Sequence, residues 1–248
     1  MAPDKRAELL NLYREFASSW AWAPEAQRYM DLLDGGQSQA RKNFQEVKEA
    51  ADRGEDVTGQ ILLKLLPHTD SDARRQKGAW IYFASSTEEE DWSSRSGWSP
   101  ERRRQLARAI LHFVRRCNEQ PKELISACAE FSKAPYGKEL HTGILSPILS
   151  ALRPNDFLLI DGNSLRLVNY FADTSSSLSL DDYPAANAAG LGLAEQVTEE
   201  ISQTACPEIK KIDSFVIFLH WLTTAKKYRS SSPFMIHPNM YKHWPPMW

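Results

Sequence analysis

Apolar residues recur every third or fourth position through much of the chain, with charged residues between them. This spacing is clearest in residues 5–22, 38–53 and 101–117, and it is typical of helices that keep one face in a core. Residues 214–228 are apolar nearly all round before two lysines, which indicates a helix inside the core. The pattern predicts a mainly α, multi-helix globular domain with at most one or two short extended segments.

Three parts of the chain differ in composition. We predict an N-terminal helical part at residues 1–97, a central and C-terminal helical core at 98–229 that is continuous with it, and a proline-rich tail or linker at 230–248. Two features of the first part allow two interpretations each. The glycine pair at 35–36 either interrupts its helix or weakens it, and the aromatic run 79–83 fits a strand or a buried helical turn.

The most apolar and most strongly punctuated stretch is residues 140–171. Ser146 before Pro147 predicts a helix start, because a serine oxygen accepts an unpaired amide and proline has no amide to leave unpaired. Phe157–Ile160 are too few for a helix, and they predict a short buried extended connector. Further on, the alanines and glycines of residues 185–194 indicate either close helix packing or a weak helix.

A second helix is predicted directly after the connector. The chain turns at Asp161-Gly162, and Asn163 or Ser164 is suited to cap the helix that follows. Free amides at a helix start can bind an anion such as a phosphate, which makes Asn163 and Ser164 candidate DNA-backbone contacts. In the alternative interpretation, Asp161 and Ser164 only cap the helix.

A basic stripe is predicted on the helix that begins at Ser99-Pro100. Residues 99–116 carry six arginines and one acidic residue, in a chain whose net charge is −2. Four of the basic side chains fall on one face, at Arg104, Arg108, His112 and Arg115. Arginine stays charged and offers paired donors, so the stripe is a candidate phosphate-binding surface. The alternative is an ordinary solvated helix face.

The chain lacks the sequence patterns that are typical of several functional classes. Cys117, Cys128 and Cys206 are far apart and show neither zinc-ligand spacing nor a disulfide framework. No nucleophile elbow accompanies the serine and histidine residues. No apolar run is long enough to span a membrane. We therefore expect a cytoplasmic protein that is not an enzyme, with no catalytic residues, metal site or cofactor and no membrane partner.

The central stretch 140–171, with residues 178–187 and 218–227, resembles the amino-terminal region of AAA+ proteins of the McrB type. Those proteins are the GTP-driven subunits of 5-methylcytosine-specific restriction systems. Residues 51–81 and 113–140 are similar to the same region. The resemblance implies a module of a DNA-restriction or phage-defence machine, whose partners would be DNA and an AAA+ motor or nuclease subunit.

The chain departs from that family in two respects, although the resemblance covers roughly residues 5–230. It contains no phosphate-binding loop of the G-x-x-x-x-G-K-S/T type, so the nucleotide-hydrolysing part is absent from this sequence. Family members carry asparagine and lysine where this chain has residues 161–164, and the missing lysine weakens a phosphate contact at that turn.

The leading hypothesis is a non-catalytic DNA-binding or subunit-docking module of a restriction system. One alternative is a DNA enzyme similar to the helix-hairpin-helix glycosylases, in which Gly143 would belong to the hairpin and Asp161 would assist base release. The other alternative is a purely structural oligomerisation module. Its contacts would be exposed aromatic residues, namely Trp92, Trp98, Trp244 and Trp248.

Overall fold

The computed structural model describes residues 3–19, 24–68, 71–82, 98–134, 140–197 and 211–228. In these ranges the chain forms ten α-helices and two short 3-10 turns, so the mainly α prediction is confirmed. The helices are α1 Pro3–Ser19, α2 Pro24–Asp52, α3 Thr58–Lys64, α4 Asp72–Gln76, α5 Pro100–Glu119, α6 Leu124–Lys133, α7 Thr142–Leu152, α8 Gly162–Ala172, α9 Tyr183–Gln196 and α10 Lys211–Thr224. The 3-10 turns are Pro121–Glu123 and Leu180–Asp182.

Helix α7 lies at the centre of the core. Every residue from Ile144 to Ala151 is buried, and α7 packs against α2 and α5. Helix α8 packs against α1, α9 and α10. One hydrophobic core holds residues from both predicted parts, for example Leu62 of the first and Ile110 of the second. The predicted tail, 230–248, lies outside the described residues.

The connector between α7 and α8 is held by side chains, and it pairs with no other extended segment in the described ranges. Residues Phe157 to Ile160 are buried and extended, as the sequence predicts. Asn187 accepts from the amide of Leu158 at 2.6 Å, and Tyr183 donates to the Leu158 carbonyl at 3.0 Å. Ser146 lies 3.0 Å from both the amide and the carbonyl oxygen of Ile160. Each buried polar group of Leu158 and Ile160 therefore has a partner, as a water-free core requires.

The predicted helix start at Ser146-Pro147 is wrong. Helix α7 begins at Thr142, and the ring nitrogen Nδ1 of His141 accepts from the amide of Gly143 at 3.1 Å as the N-cap. Ser146 is fully buried inside the helix, and its hydroxyl serves the connector instead of the helix end. Pro147 is in the second turn, where its missing amide removes only one early helical bond.

Helix α2 continues through its glycine pair, so the interpretation of an interruption there is wrong. The indole of Trp80 donates to the carbonyl oxygen of Gly36 at 3.1 Å. A Cβ atom on Gly36 would lie 2.8 Å from the ring of Tyr82. The glycine therefore permits a close approach of two buried aromatic residues, and their packing supports the helix at its weakest point.

The aromatic run after α4 is extended. The amide of His68 donates to the Trp80 carbonyl at 2.9 Å, and His68 forms a parallel bridge with Ile81. The amide of Trp80 donates to the carbonyl of Leu63 at 3.0 Å. In the described part of the chain this is the one pairing of extended segments, so the run is not a helical turn. Phe83 lies outside the described residues.

Candidate docking surface on helices α5 and α6

Helix α5 carries the predicted basic stripe on its outer side. The hydroxyl of Ser99 accepts from the amide of Arg102 at 3.1 Å, and Pro100 occupies the first turn, as the sequence predicts. The inner side of the helix is fully in the core and packs on α3, α6 and α7. Its buried residues are Leu106, Ala107, Ile110, Leu111, Phe113, Val114 and Cys117. The stripe is therefore presented on a rigid, well-anchored helix.

Three of the four predicted basic residues are paired with carboxylates. Arg104 contacts Glu101 at 2.8 Å on its own helix, and Arg115 contacts Asp52 of α2 at 2.8 Å. The Nε2 atom of His112 lies 3.5 Å from a carboxylate oxygen of Glu130 on α6. Exposed pairs of this kind stabilise a fold little, but each of the two arginine pairs cancels a positive charge at the surface.

Arg108 differs from its neighbours on the stripe. Its side chain is exposed, and among the described residues it has neither a hydrogen bond nor an ion pair. The pKa of nearby Asp56 is lowered by hydrogen bonds from Thr58 and, to a smaller extent, by Arg104 and Arg108. Arg108 is thus the stripe residue that is available to an outside anion.

Arg116 lies on the same surface as the stripe and is absent from the residues that the sequence predicts for it. Its guanidinium contacts the carboxylates of Glu123 and Glu130 and lies 3.0 Å from the hydroxyl of Ser126. The hydrogen bond that Arg116 donates to the carboxylate of Glu123 is the main reason why the pKa of Arg116 is raised. Its position four residues after His112 was the available signal, because that spacing places both on one face.

Two grooves flank the line from Arg108 to Arg116. The larger groove has a volume of about 470 Å³, and it is lined mainly by polar and charged side chains that include Arg115, Glu119 and Glu123. The smaller, of about 270 Å³, lies between α5 and α6 and has an apolar floor. The floor consists of Ala109, Phe113, Ala127, Phe131 and Ala134. The basic stripe is therefore one wall of an apolar groove rather than an open cationic track.

Asn163 and Ser164 lie at the start of α8, and neither groove is lined by them. The N-cap residue is Asp161 and not Asn163 or Ser164, but Ser164 takes part in the cap, so the capping by Asp161 and Ser164 given in the alternative interpretation is confirmed. Its carboxylate accepts from the amides of Asn163 at 3.0 Å and Ser164 at 2.7 Å. The Ser164 hydroxyl accepts from the amide of Asp161 at 2.8 Å, which completes a capping box. An anion at this turn would compete with an internal carboxylate for both amides.

Asp161 tests the glycosylase alternative directly. Asn caps a helix about as well as Asp, whereas Ala costs about 1–2 kcal/mol at such a position. We expect Asp161→Asn to change the free energy of unfolding by less than about 1 kcal/mol, the remaining loss being that of a charge near the helix start. Asp161→Ala should lose about 2 kcal/mol. Denaturant titration measures both.

The same Asp161→Asn variant separates a structural role from a chemical one. Suppose that the unchanged chain releases a base from a damaged-DNA substrate and that the folded variant does not. That result would contradict capping as the sole function of Asp161. Equal behaviour of the two chains on that substrate is the outcome we expect.

Trp98 is not an exposed aromatic residue, which corrects one contact of the oligomerisation alternative. Only 6% of its surface is exposed. Its ring lies under the guanidinium of Arg102 at 4.9 Å, and its carbonyl accepts from Arg103 at 3.0 Å. Trp98 therefore anchors the start of α5. Trp92, Trp244 and Trp248 lie outside the described residues.

The two cysteines among the described residues, Cys117 and Cys128, are buried. Burial raises the pKa of the Cys117 thiol to about 12 and also raises that of Cys128, so neither is a ready nucleophile. Within the ranges that the structure describes, no three histidine, cysteine or acidic residues are placed to hold a metal ion. None of the helices described there has the length and hydropathy needed to cross a membrane.

Comparisons of the chain with protein-family models, with curated proteins and with solved structures gave no significant match. The resemblance to the McrB type therefore stays a prediction from the sequence.

Proposed function

We propose that this protein is a non-catalytic subunit-docking module of a DNA-restriction system, and that it binds an AAA+ motor or nuclease subunit through α5 and α6. The restriction context rests on the sequence resemblance. The choice of docking over DNA binding rests on the surface, because the cations of α5 are mixed with acids instead of forming a positive field.

The pairing of the stripe is the observation that carries this choice. Arg104, His112, Arg115 and Arg116 each contact a carboxylate. Proteins that track a DNA backbone keep their cations available to phosphates, because binding is driven by release of counterions from those phosphates. Protein interfaces instead combine an apolar centre with a polar rim that can include ion pairs. The mixed charges and the apolar lining of the groove on α5 and α6 support the second arrangement.

DNA contact is the second candidate function, and Arg108 is the observation that favours it. This residue is exposed and has no ion pair among the described residues. Arg104 lies one turn away, with 41% of its side chain exposed, and among the described residues its ion pair is with Glu101 on the same helix. Surface pairs of this kind are weak, so a phosphate could replace the carboxylate of Glu101.

Binding to fluorescent duplex DNA over a salt series separates the two functions. Duplexes with and without 5-methylcytosine should be titrated beside an Arg104→Ala/Arg108→Ala double variant. If four basic side chains contacted phosphates, the log-log slope of affinity against salt would be about −3.6. For a docking module we expect weak DNA binding that the double variant leaves unchanged.

The positive test uses sedimentation of the chain with purified motor and nuclease subunits of a McrB-type system. A stable complex with one of them, in the absence of DNA, is the expected result. Steeply salt-dependent DNA binding that the double variant loses, with no subunit complex, would overturn the docking function in favour of DNA binding.

A further inference from the structure

The groove between α5 and α6 has the dimensions of an anchor pocket for a side chain. Its volume of about 270 Å³ lies just below the range of roughly 300–1,000 Å³ that small-molecule sites occupy. The rings of Phe113 and Phe131 meet at 5.2 Å in its floor. The two rings and Ala127 are only 2–3% exposed at the bottom of the groove, while Ala109 and Ala134 are partly exposed in its lining. One or two aliphatic side chains fit the groove better than a metabolite does.

The polar rim of this groove is uneven along its length. At one end, Arg116 is held by Glu123 and Glu130, and His112 also lies near Glu130. At the other end, Arg108 lines the groove, and among the described residues it forms no ion pair, although Asp56 is near enough for its pKa to be lowered slightly by Arg108. Arg108 and Arg116 are eight residues apart, which is about 12 Å along a helix. The groove therefore has an apolar floor, a neutralised end and a cationic end.

This combination matches one class of partner. We propose that the groove binds an acidic amphipathic helix of a partner protein, with an aliphatic side chain over Phe113 and Phe131 and a carboxylate on Arg108. This inference deepens the proposed docking function and rests on it. An amphipathic helix in a groove presents its apolar side chains at a spacing of three or four residues, so an acid one turn from the anchor can reach Arg108.

Duplex DNA fits the same surface less well. A phosphate backbone offers nothing for the apolar floor, and the carboxylates of Glu123 and Glu130 already occupy Arg116. On a protein helix, an aliphatic side chain can contact the apolar floor while a neighbouring carboxylate binds Arg108. We therefore assign the groove to a protein helix, and DNA becomes an outcome of the test.

The test uses three fluorescent peptides of about 18 residues, a length at which a helix forms in water. The first carries leucine on one face and glutamate beside it, the second replaces glutamate by lysine, and the third replaces leucine by serine. Anisotropy with the full chain should show the first peptide binding at least about tenfold more tightly than each of the others, which corresponds to one favourable contact.

Charge reversal locates the site. Arg108→Glu should weaken the glutamate peptide about tenfold and improve the lysine peptide. Lys42→Glu makes the same charge reversal at an exposed position of α2, and it should change neither affinity by more than about twofold. A photo-crosslinking group at a leucine position should label α5 or α6, and this readout does not depend on a folded variant. Equal affinity for all three peptides, labelling elsewhere, or displacement of the peptide by duplex DNA would overturn the inference.

The two proposals can fail separately. If the peptide binds as expected but no motor or nuclease subunit does, the groove inference stands and the restriction context fails. If a subunit binds equally well to the unchanged chain and to Arg108→Glu, docking stands and the groove inference fails.

Discussion

Gly190→Ala is expected to destabilise the protein by about 2 kcal/mol, although alanine is the better helix former. A Cβ atom at position 190 would lie 2.3 Å from Cδ2 of Leu158 and 3.5 Å from Val168. Leu158 and Val168 are both fully buried, so neither side chain can move aside without disturbing the core. Overpacking at such a contact costs about 3 kcal/mol, and the helix preference of alanine returns about 1 kcal/mol.

Gly192→Ala is the matched control on the same helix. Nothing lies within 4 Å of a Cβ atom at position 192, which is exposed. This variant should gain up to about 1 kcal/mol, because only the helix preference changes. The difference of about 3 kcal/mol between the two variants isolates the steric contact, and in a chain of this size it separates their melting temperatures by roughly 6–12 °C. Equal stabilities would mean that α9 does not approach the connector as closely as the structure has it.

Asn187→Ala is expected to lower the free energy of unfolding by about 2–4 kcal/mol. The Asn187 amide accepts from Leu158 at 2.6 Å and donates to the carbonyl of Asp156 at 3.0 Å, and only 5% of the residue is exposed. Removing it leaves an amide and a carbonyl at the start of the connector without partners. Each buried unsatisfied group costs about 1–3 kcal/mol. Urea titration at constant pH measures the loss.

Asn155→Ala controls for the loss of an asparagine in the same region. Asn155 is exposed in the turn before the connector, so its replacement should stay within about 0.5 kcal/mol. Ser146→Ala removes the bonds to Ile160 at the other end of the connector and should resemble Asn187→Ala. A loss at Asn187 no larger than that at Asn155 would contradict the role of side chains in holding the connector.

Much of the fold follows from local pattern. The sequence predicts helices α5 and α8, the buried connector and the alanine- and glycine-rich helix α9, because each of them depends on residues close together in sequence. The start of α7 could not be predicted in this way, since Ser146 bonds to Ile160, which lies 14 residues away. The continuity of α2 through its glycines likewise depends on Trp80 and Tyr82, and no local pattern predicts that these residues pack against α2.

The candidate surface was predictable only in part. Periodicity places Arg104, Arg108, His112 and Arg115 on the outside of α5 correctly. Periodicity cannot show that Asp52 of α2 contacts Arg115 or that Glu130 of α6 contacts His112, because these acids are distant in sequence. The sequence therefore suggests a strongly basic surface, while the folded chain has a nearly balanced one beside an apolar groove. Arg108 keeps its predicted availability.

The side-chain partners of the connector also protect the chain against misassembly. Phe157–Ile160 is a strongly β-prone run without charge, the kind of segment that seeds intermolecular sheets when its backbone is open. On the side where Leu158 and Ile160 present their amides and carbonyls, Ser146, Tyr183 and Asn187 occupy those groups. An incoming strand finds no edge to extend there unless α7 and α9 first separate. Without these three polar side chains, the connector would offer an open edge to an incoming strand whenever α7 and α9 separate.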